Sequence, residues 1–97
     1  MYALAIIRYR RPLEEVGNVR DAHRAYLREL KEQGVLIASG PFDPRFGGAL
    51  LLRVKDDDVI AALDRIRDDD PFTKENLAQY ELLAWNVGIG REDLDKI

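Results

Sequence analysis

The chain has a single histidine, and its neighbours place it on the apolar side of a predicted helix. In residues 19–31 the apolar side chains recur every three or four positions, and at about 100° per residue His23 projects between Leu27 and Leu30. Charged residues, Arg20 and Arg24 among them, are assigned to the opposite face. A buried imidazole without hydrogen-bond partners costs about 1–3 kcal/mol. We therefore expect a second polar side chain to meet His23.

Asp70 is the candidate partner of His23. It follows Ile66 by four residues, close to the apolar line of a second predicted helix, and Pro71 forces that helix to end there. A carboxylate bonded to one imidazole nitrogen fixes the tautomer and leaves the other nitrogen free as a base. Such a pair suits proton abstraction beside a carbonyl, as in elimination or isomerisation. Two alternatives remain open: a core histidine bonded to backbone or water, and an aspartate that only caps the turn.

Residues near a predicted strand end are candidates for binding a substrate. Ser39 would bind a substrate oxygen, and Gly40 would let the backbone approach the ligand closely. Phe42, Phe46 and Phe72 would line an apolar pocket for an aromatic or lactone ring, although core or dimer packing is the commoner role of such phenylalanines. Ser39 lacks the G-x-S-x-G setting of a hydrolase nucleophile.

The composition argues against several classes of protein. The 97 residues carry a net charge of −3 without a basic block, so we expect no nucleic-acid partner. No apolar run reaches the roughly 18 residues of a membrane span. There is no cysteine, no zinc-ligand spacing and no glycine-rich phosphate loop, so no metal and no cofactor are expected. The apolar N-terminal segment lacks a preceding basic region, which favours a cytoplasmic protein over a secreted one.

The predicted elements follow the order β-α-β-β-α-β in a single domain over residues 1–97. We predict strands over Tyr2–Tyr9, Val35–Ser39, Ala49–Val54 and Ala78–Val87, and helices over residues 19–33 and 56–69. Asn18 is the predicted N-cap and Gly34 the stop of the first helix, while Gly40 and Pro41 should end the second strand. The tail, residues 88–97, is expected to form a cap or a subunit contact.

This order predicts a ferredoxin-like α+β fold, in which right-handed crossovers place both helices on one face of a four-stranded antiparallel sheet. The first strand is apolar on both of its faces, and the third and fourth strands carry apolar residues on both sides. An uncovered apolar sheet face favours association. We therefore expect a homodimer with the two sheets packed face to face, a dimeric α+β barrel.

Three segments in order carry a family resemblance: Ala22–Leu27, Gly34–Pro41 and Asp69–Phe72. Through them, the chain resembles the YCII-related family of small dimeric proteins over about Tyr2 to Trp85. The resemblance implies a dimeric ferredoxin-like α+β fold with His23 and Asp70 as the active-site pair. Members of the family include dehydrochlorinases of chlorinated aromatic breakdown products, and the fold is akin to that of muconolactone isomerases.

Three hypotheses about function follow. The chain is a small enzyme that uses His23 and Asp70 for acid–base chemistry on a small aromatic or lactone-like molecule, by elimination, dehydrochlorination or isomerisation. Alternatively, it is a dimer that binds a small molecule without chemistry, or a structural accessory subunit. We favour the enzyme.

Overall fold

A four-stranded antiparallel sheet forms the centre of the computed structural model, which describes all 97 residues. The strands are β1 (Tyr2–Tyr9), β2 (Leu36–Pro41), β3 (Gly47–Arg53) and β4 (Ala78–Trp85), in the spatial order β2-β3-β1-β4. The helices are α1 (Leu13–Gly17), α2 (Arg20–Glu32), α3 (Val59–Asp69), α4 (Pro71–Lys74) and α5 (Arg91–Asp95). This arrangement confirms the predicted ferredoxin-like α+β fold.

The two long helices begin and end where local chemistry requires. α2 is followed by Gly34, whose φ of +79° lies in the left-handed region that favours glycine at a helix end. At the start of α3 the Asp58 side chain accepts a hydrogen bond from the Ala61 amide at 3.3 Å. α3 ends at Asp69 because Pro71 holds Asp70 in an extended conformation, with ψ of 128°.

The core lies between one face of the sheet and the helices. Alternate residues of β1, namely Ala3, Ala5 and Ile7, are buried on this side. The same cluster contains Leu50 and Leu52 of β3 together with the following residues of the helix layer: Val16, Leu27, Leu30, Leu63, Ile66 and Phe72. The strand register also places Tyr80 of β4 opposite Ile7, so that its side chain belongs to the helix side.

The opposite face of the sheet is apolar and only partly covered. It carries Leu4, Ile6, Leu51, Leu83 and Trp85, which we call the open-face cluster. Leu83 is 42% exposed and Trp85 41% exposed. None of the helices on either side has the length and apolar character needed to span a membrane.

The tail docks on the end of this face where β1 begins. The Tyr2 hydroxyl donates to Asp95 at 2.5 Å. The Arg53 guanidinium, which lies over the Tyr2 ring, donates to the carbonyls of Leu94 and Ile97 at 2.6 and 2.8 Å. The predicted cap is therefore a short helix held within its own chain.

Several predicted boundaries differ from the structure: the third strand begins at Gly47, the second long helix begins at Val59, and the fourth strand ends at Trp85. A predicted cap and a predicted strand end are also wrong. Asn18 does not cap α2, because residues 13–17 already form α1 and Asn18 follows that helix; α2 begins after Val19 without a side-chain cap. Gly40 and Pro41 do not end the second strand, since both pair with β3. A proline is tolerated there because β2 is an edge strand.

Candidate active site

His23 and Asp70 come together where the first turn of α2 approaches the junction of α3 and α4. The His23 Nδ1 lies 2.8 Å from the Asp70 Oδ1. The histidine side chain is 12% exposed, and the aspartate side chain is fully buried. Because a carboxylate only accepts hydrogen bonds, the Nδ1–H group of His23 is the donor and Asp70 Oδ1 is the acceptor.

Asp70 accepts two further hydrogen bonds. Its Oδ1 accepts from the Phe72 amide at 2.9 Å, which makes Asp70 the N-cap of α4, and its Oδ2 accepts from the Tyr80 hydroxyl. A buried carboxylate without partners would be strongly destabilising, and these donors compensate its burial. Asp70 therefore both caps α4 and bonds to His23. From the sequence these two roles were alternatives, and in the structure one side chain has both.

Aromatic contacts fix the plane of the imidazole. The His23 ring stacks on Phe72 with 3.9 Å between centroids and 9° between planes, and Tyr9 meets Phe72 edge-on at 6.0 Å. The His23 Nε2 has no hydrogen-bond partner within the chain. The only buried side-chain polar atom without a hydrogen-bond partner is Thr73 Oγ1. Because Nε2 also lacks a partner but is not among the buried atoms, it is accessible to solvent.

Two tyrosine hydroxyls donate hydrogen bonds around the pair, Tyr80 to Asp70 and Tyr26 to a backbone carbonyl of α3. Burial, reinforced by the neighbouring Asp70 carboxylate, raises the pKa of Tyr80 well above its ordinary value, so that this hydroxyl stays protonated. Burial likewise raises the pKa of Tyr26, whose hydroxyl donates to the Ile66 carbonyl at 2.7 Å. The Tyr26 bond ties α2 to the last turns of α3, which fixes the approach of His23 to Asp70.

A cleft of about 220 Å³ opens beside the imidazole. His23, Ser39, Gly40 and Phe72 contribute to its lining, together with the apolar side chains of Ile7, Leu27 and Leu50. Phe42 does not line it and stacks instead on Phe46, with 5.2 Å between the ring centroids. No group of three or more acidic or histidine side chains is placed to hold a metal ion.

Tyr80 and three arginines of the cleft were not predicted as site residues from the sequence. Arg20 and Arg24 were assigned to the charged outer face of α2, but both line the cleft, as does Arg45 from the loop between β2 and β3. Arg20 and Arg24 are four residues apart and therefore lie on the same side of α2, and Arg20 is also three residues before His23. That spacing could have indicated the arginines, but Tyr80 depends on the strand register.

The fold and this buried pair define a ferredoxin-like α+β protein with an oriented histidine beside a cleft. The model of the YCII-related domain matches residues 1–86, so the chain belongs to the YCII-related domain family, as the resemblance predicted. A solved structure, the 5-chloro-2-hydroxyhydroquinone dehydrochlorinase TftG from Burkholderia phenoliruptrix AC1100 in complex with 2,5-dihydroxybenzoquinone, is similar to it. The identity is 26%, the TM-score is 0.73, and the match covers 91% of this chain and 96% of that one. No protein among those of curated function matches the chain.

The variant Tyr80→Phe tests the hydroxyl that donates to Asp70. We expect it to lower the free energy of unfolding at neutral pH by about 1.5–3 kcal/mol, the usual value of a hydrogen bond to a charged group. Because folding raises the pKa of Tyr80, its contribution is complete below about pH 10, the pKa in the unfolded chain, and falls as the pH rises further. The free energy of unfolding should therefore fall less steeply with rising pH in the variant. The remaining fall comes from Tyr26, whose pKa is also raised on folding.

Urea denaturation across the alkaline range measures both effects. Tyr9→Phe is the matched control, since the Tyr9 hydroxyl makes no hydrogen bond within the chain and its loss should change stability little. Equal stabilities and equal alkaline slopes for the two variants would contradict the assignment of Tyr80.

Proposed function

We propose that this protein is an enzyme in which His23 removes a proton from a small molecule bound in the cleft. One observation carries the proposal: the imidazole is anchored through Nδ1 on a buried carboxylate, and Nε2 is accessible and unpartnered. A neutral imidazole held in this tautomer presents a lone pair at Nε2, which is the requirement for a general base.

The chemistry that we propose is elimination of hydrogen chloride. In a substrate tautomer whose chlorine lies on a saturated ring carbon, Nε2 takes the proton of a ring hydroxyl and the electron pair of the O–H bond forms a carbonyl. The ring double bond shifts to the chlorine-bearing carbon, and chloride leaves with the electron pair of the C–Cl bond. The imidazolium is stabilised by Asp70 and returns its proton to water. Atoms and charges balance without an oxidant or a reductant.

The similarity to TftG supports this class of reaction, because that protein is a dehydrochlorinase and its fold matches over most of both chains. The cleft also fits a small substrate. Its volume of about 220 Å³ lies below the roughly 300–1,000 Å³ of pockets for drug-sized ligands. We propose Ser39 and Gly40 as groups that contact the substrate at the end of β2, and Phe72 as an apolar wall that also holds the imidazole. Phe42 has no place in this proposal.

We expect His23→Gln and Asp70→Asn each to lower kcat/KM for a chlorinated hydroxyhydroquinone by about 10²–10⁴-fold, the usual contribution of a positioned general base. Release of chloride, followed with an ion-selective electrode under argon, measures the reaction. Ile60→Ala is the control, since Ile60 is 76% exposed on α3 and lies outside the cleft. Wild-type release in His23→Gln would contradict the proposal, and ligand binding without any chloride release would favour a binding protein.

We propose further that two copies of the chain pack through the open-face cluster. The same apolar patch on both subunits would form an interface related by a two-fold axis, as in most homodimers. Its members include Leu83 and Trp85, which are large and more than one-third exposed, and the exposed Arg8–Glu81 ion pair (3.0 Å) flanks it. Burial of this face would remove large apolar side chains from water.

Light scattering tests the dimer. The wild-type protein should have twice the chain mass of 11.1 kDa at micromolar concentration, and Leu83→Glu should reduce it to the mass of one chain. Ile60→Glu places the same charge on an exposed apolar residue of the helix layer and should leave the mass unchanged. A wild-type monomer, or identical behaviour of the two variants, would rule out this interface.

A further inference from the structure

The charged side chains that line the cleft beside His23 are all cationic. Arg20 and Arg24 lie one turn apart on α2, and Arg45 comes from the loop between β2 and β3. No aspartate or glutamate lines the cleft, although the chain as a whole carries a net charge of −3. The lining of this cleft is therefore positively charged, whereas the protein as a whole has a negative net charge.

These three guanidinium groups are also unpaired within the chain. The arginines that form hydrogen bonds or ion pairs are others: Arg8, Arg10, Arg53 and Arg67. A guanidinium carries five N–H donors, stays charged and matches the geometry of a carboxylate or another oxyanion. Like-signed charges that line one cleft raise its potential and attract a ligand of opposite sign. The unpaired donors thus remain free for a ligand.

We infer that the cleft selects a single-ring molecule that carries an oxyanion, either a carboxylate or an ionised ring hydroxyl. The ring packs on the apolar lining formed by Leu27, Leu50 and Phe72, and Arg20, Arg24 and Arg45 hold the anionic oxygen. This inference rests on the proposed function, since it names the substrate class of the same site. Arginines placed there also stabilise negative charge that develops on the substrate oxygen when His23 takes the proton.

Binding of matched ligand pairs tests the inference. We use benzoate against neutral benzamide for the carboxylate, and 4-nitrophenolate against 4-nitroanisole for the ionised hydroxyl, in calorimetric titrations of the intact protein. The wild type should bind at least one anion about 10-fold more tightly than its neutral partner. Arg24→Gln and Arg45→Gln should each reduce this ratio at least about 3-fold. Arg28→Gln, one turn further along α2 and outside the cleft lining, should leave the ratio unchanged.

Preference for one anionic pair or for both supports the inference and identifies which oxyanion is bound. Equal binding of anion and neutral partner in both pairs would overturn it, as would an equal loss of preference in the Arg28→Gln control. Chloride release by the wild type, measured beside these titrations, separates the two proposals. Anion preference in a protein that releases no chloride leaves the inference standing without the proposed reaction, and turnover without anion preference does the reverse.

Discussion

The buried carboxylate of Asp70 is the constraint on which the rest of the site depends. It has no exposed surface, and its donors come from three places: the first turn of α2, the start of α4 and the first residues of β4. Removal of any one element would leave a buried charge short of partners, at a cost of several kcal/mol. The approach of α2 to the junction of α3 and α4 and the pairing of β4 with β1 therefore both depend on the Asp70 side chain.

The structural and chemical roles of this carboxylate coincide. The same oxygen that caps α4 accepts from His23, so the turn that ends α3 also sets the tautomer of the imidazole. Phe72 connects the two roles, because its amide is capped by Asp70 while its ring supports His23. The cleft lies on the helix side of the sheet and the open-face cluster on the other, so association through that cluster leaves the cleft uncovered.

Periodicity and proline chemistry predicted the elements from local geometry. The approach of His23 to Asp70, which are 47 residues apart, was predicted because the ferredoxin-like order places the two helices on one face of the sheet and because the family resemblance implies the pair. Pro71 indicated the end of α3, and the helical spacing of the apolar residues predicted that His23 lies on the buried side of α2. Tyr80 was missed because its meeting with Asp70 requires the register of β4 on β1, which is a tertiary property. Arg20 and Arg24 were assigned to an outer face because a helical wheel shows only the helix itself. The cleft that they line also needs the loop that carries Arg45, and the folding of that loop against α2 is a tertiary property. The roles of His23 and Asp70 in catalysis stay predictions.

The site depends on Asp70 holding the imidazole by Nδ1 and leaving Nε2 free. The measurement that decides this is which of the two His23 ring nitrogens carries the proton. In untagged protein labelled with ¹⁵N, the only histidine gives its two ring-nitrogen signals without assignment. We expect the neutral ring to carry its proton on Nδ1, and Asp70→Asn to shift the population toward the Nε2–H form. A wild-type ring protonated on Nε2, with no response to Asp70→Asn, would contradict this expectation.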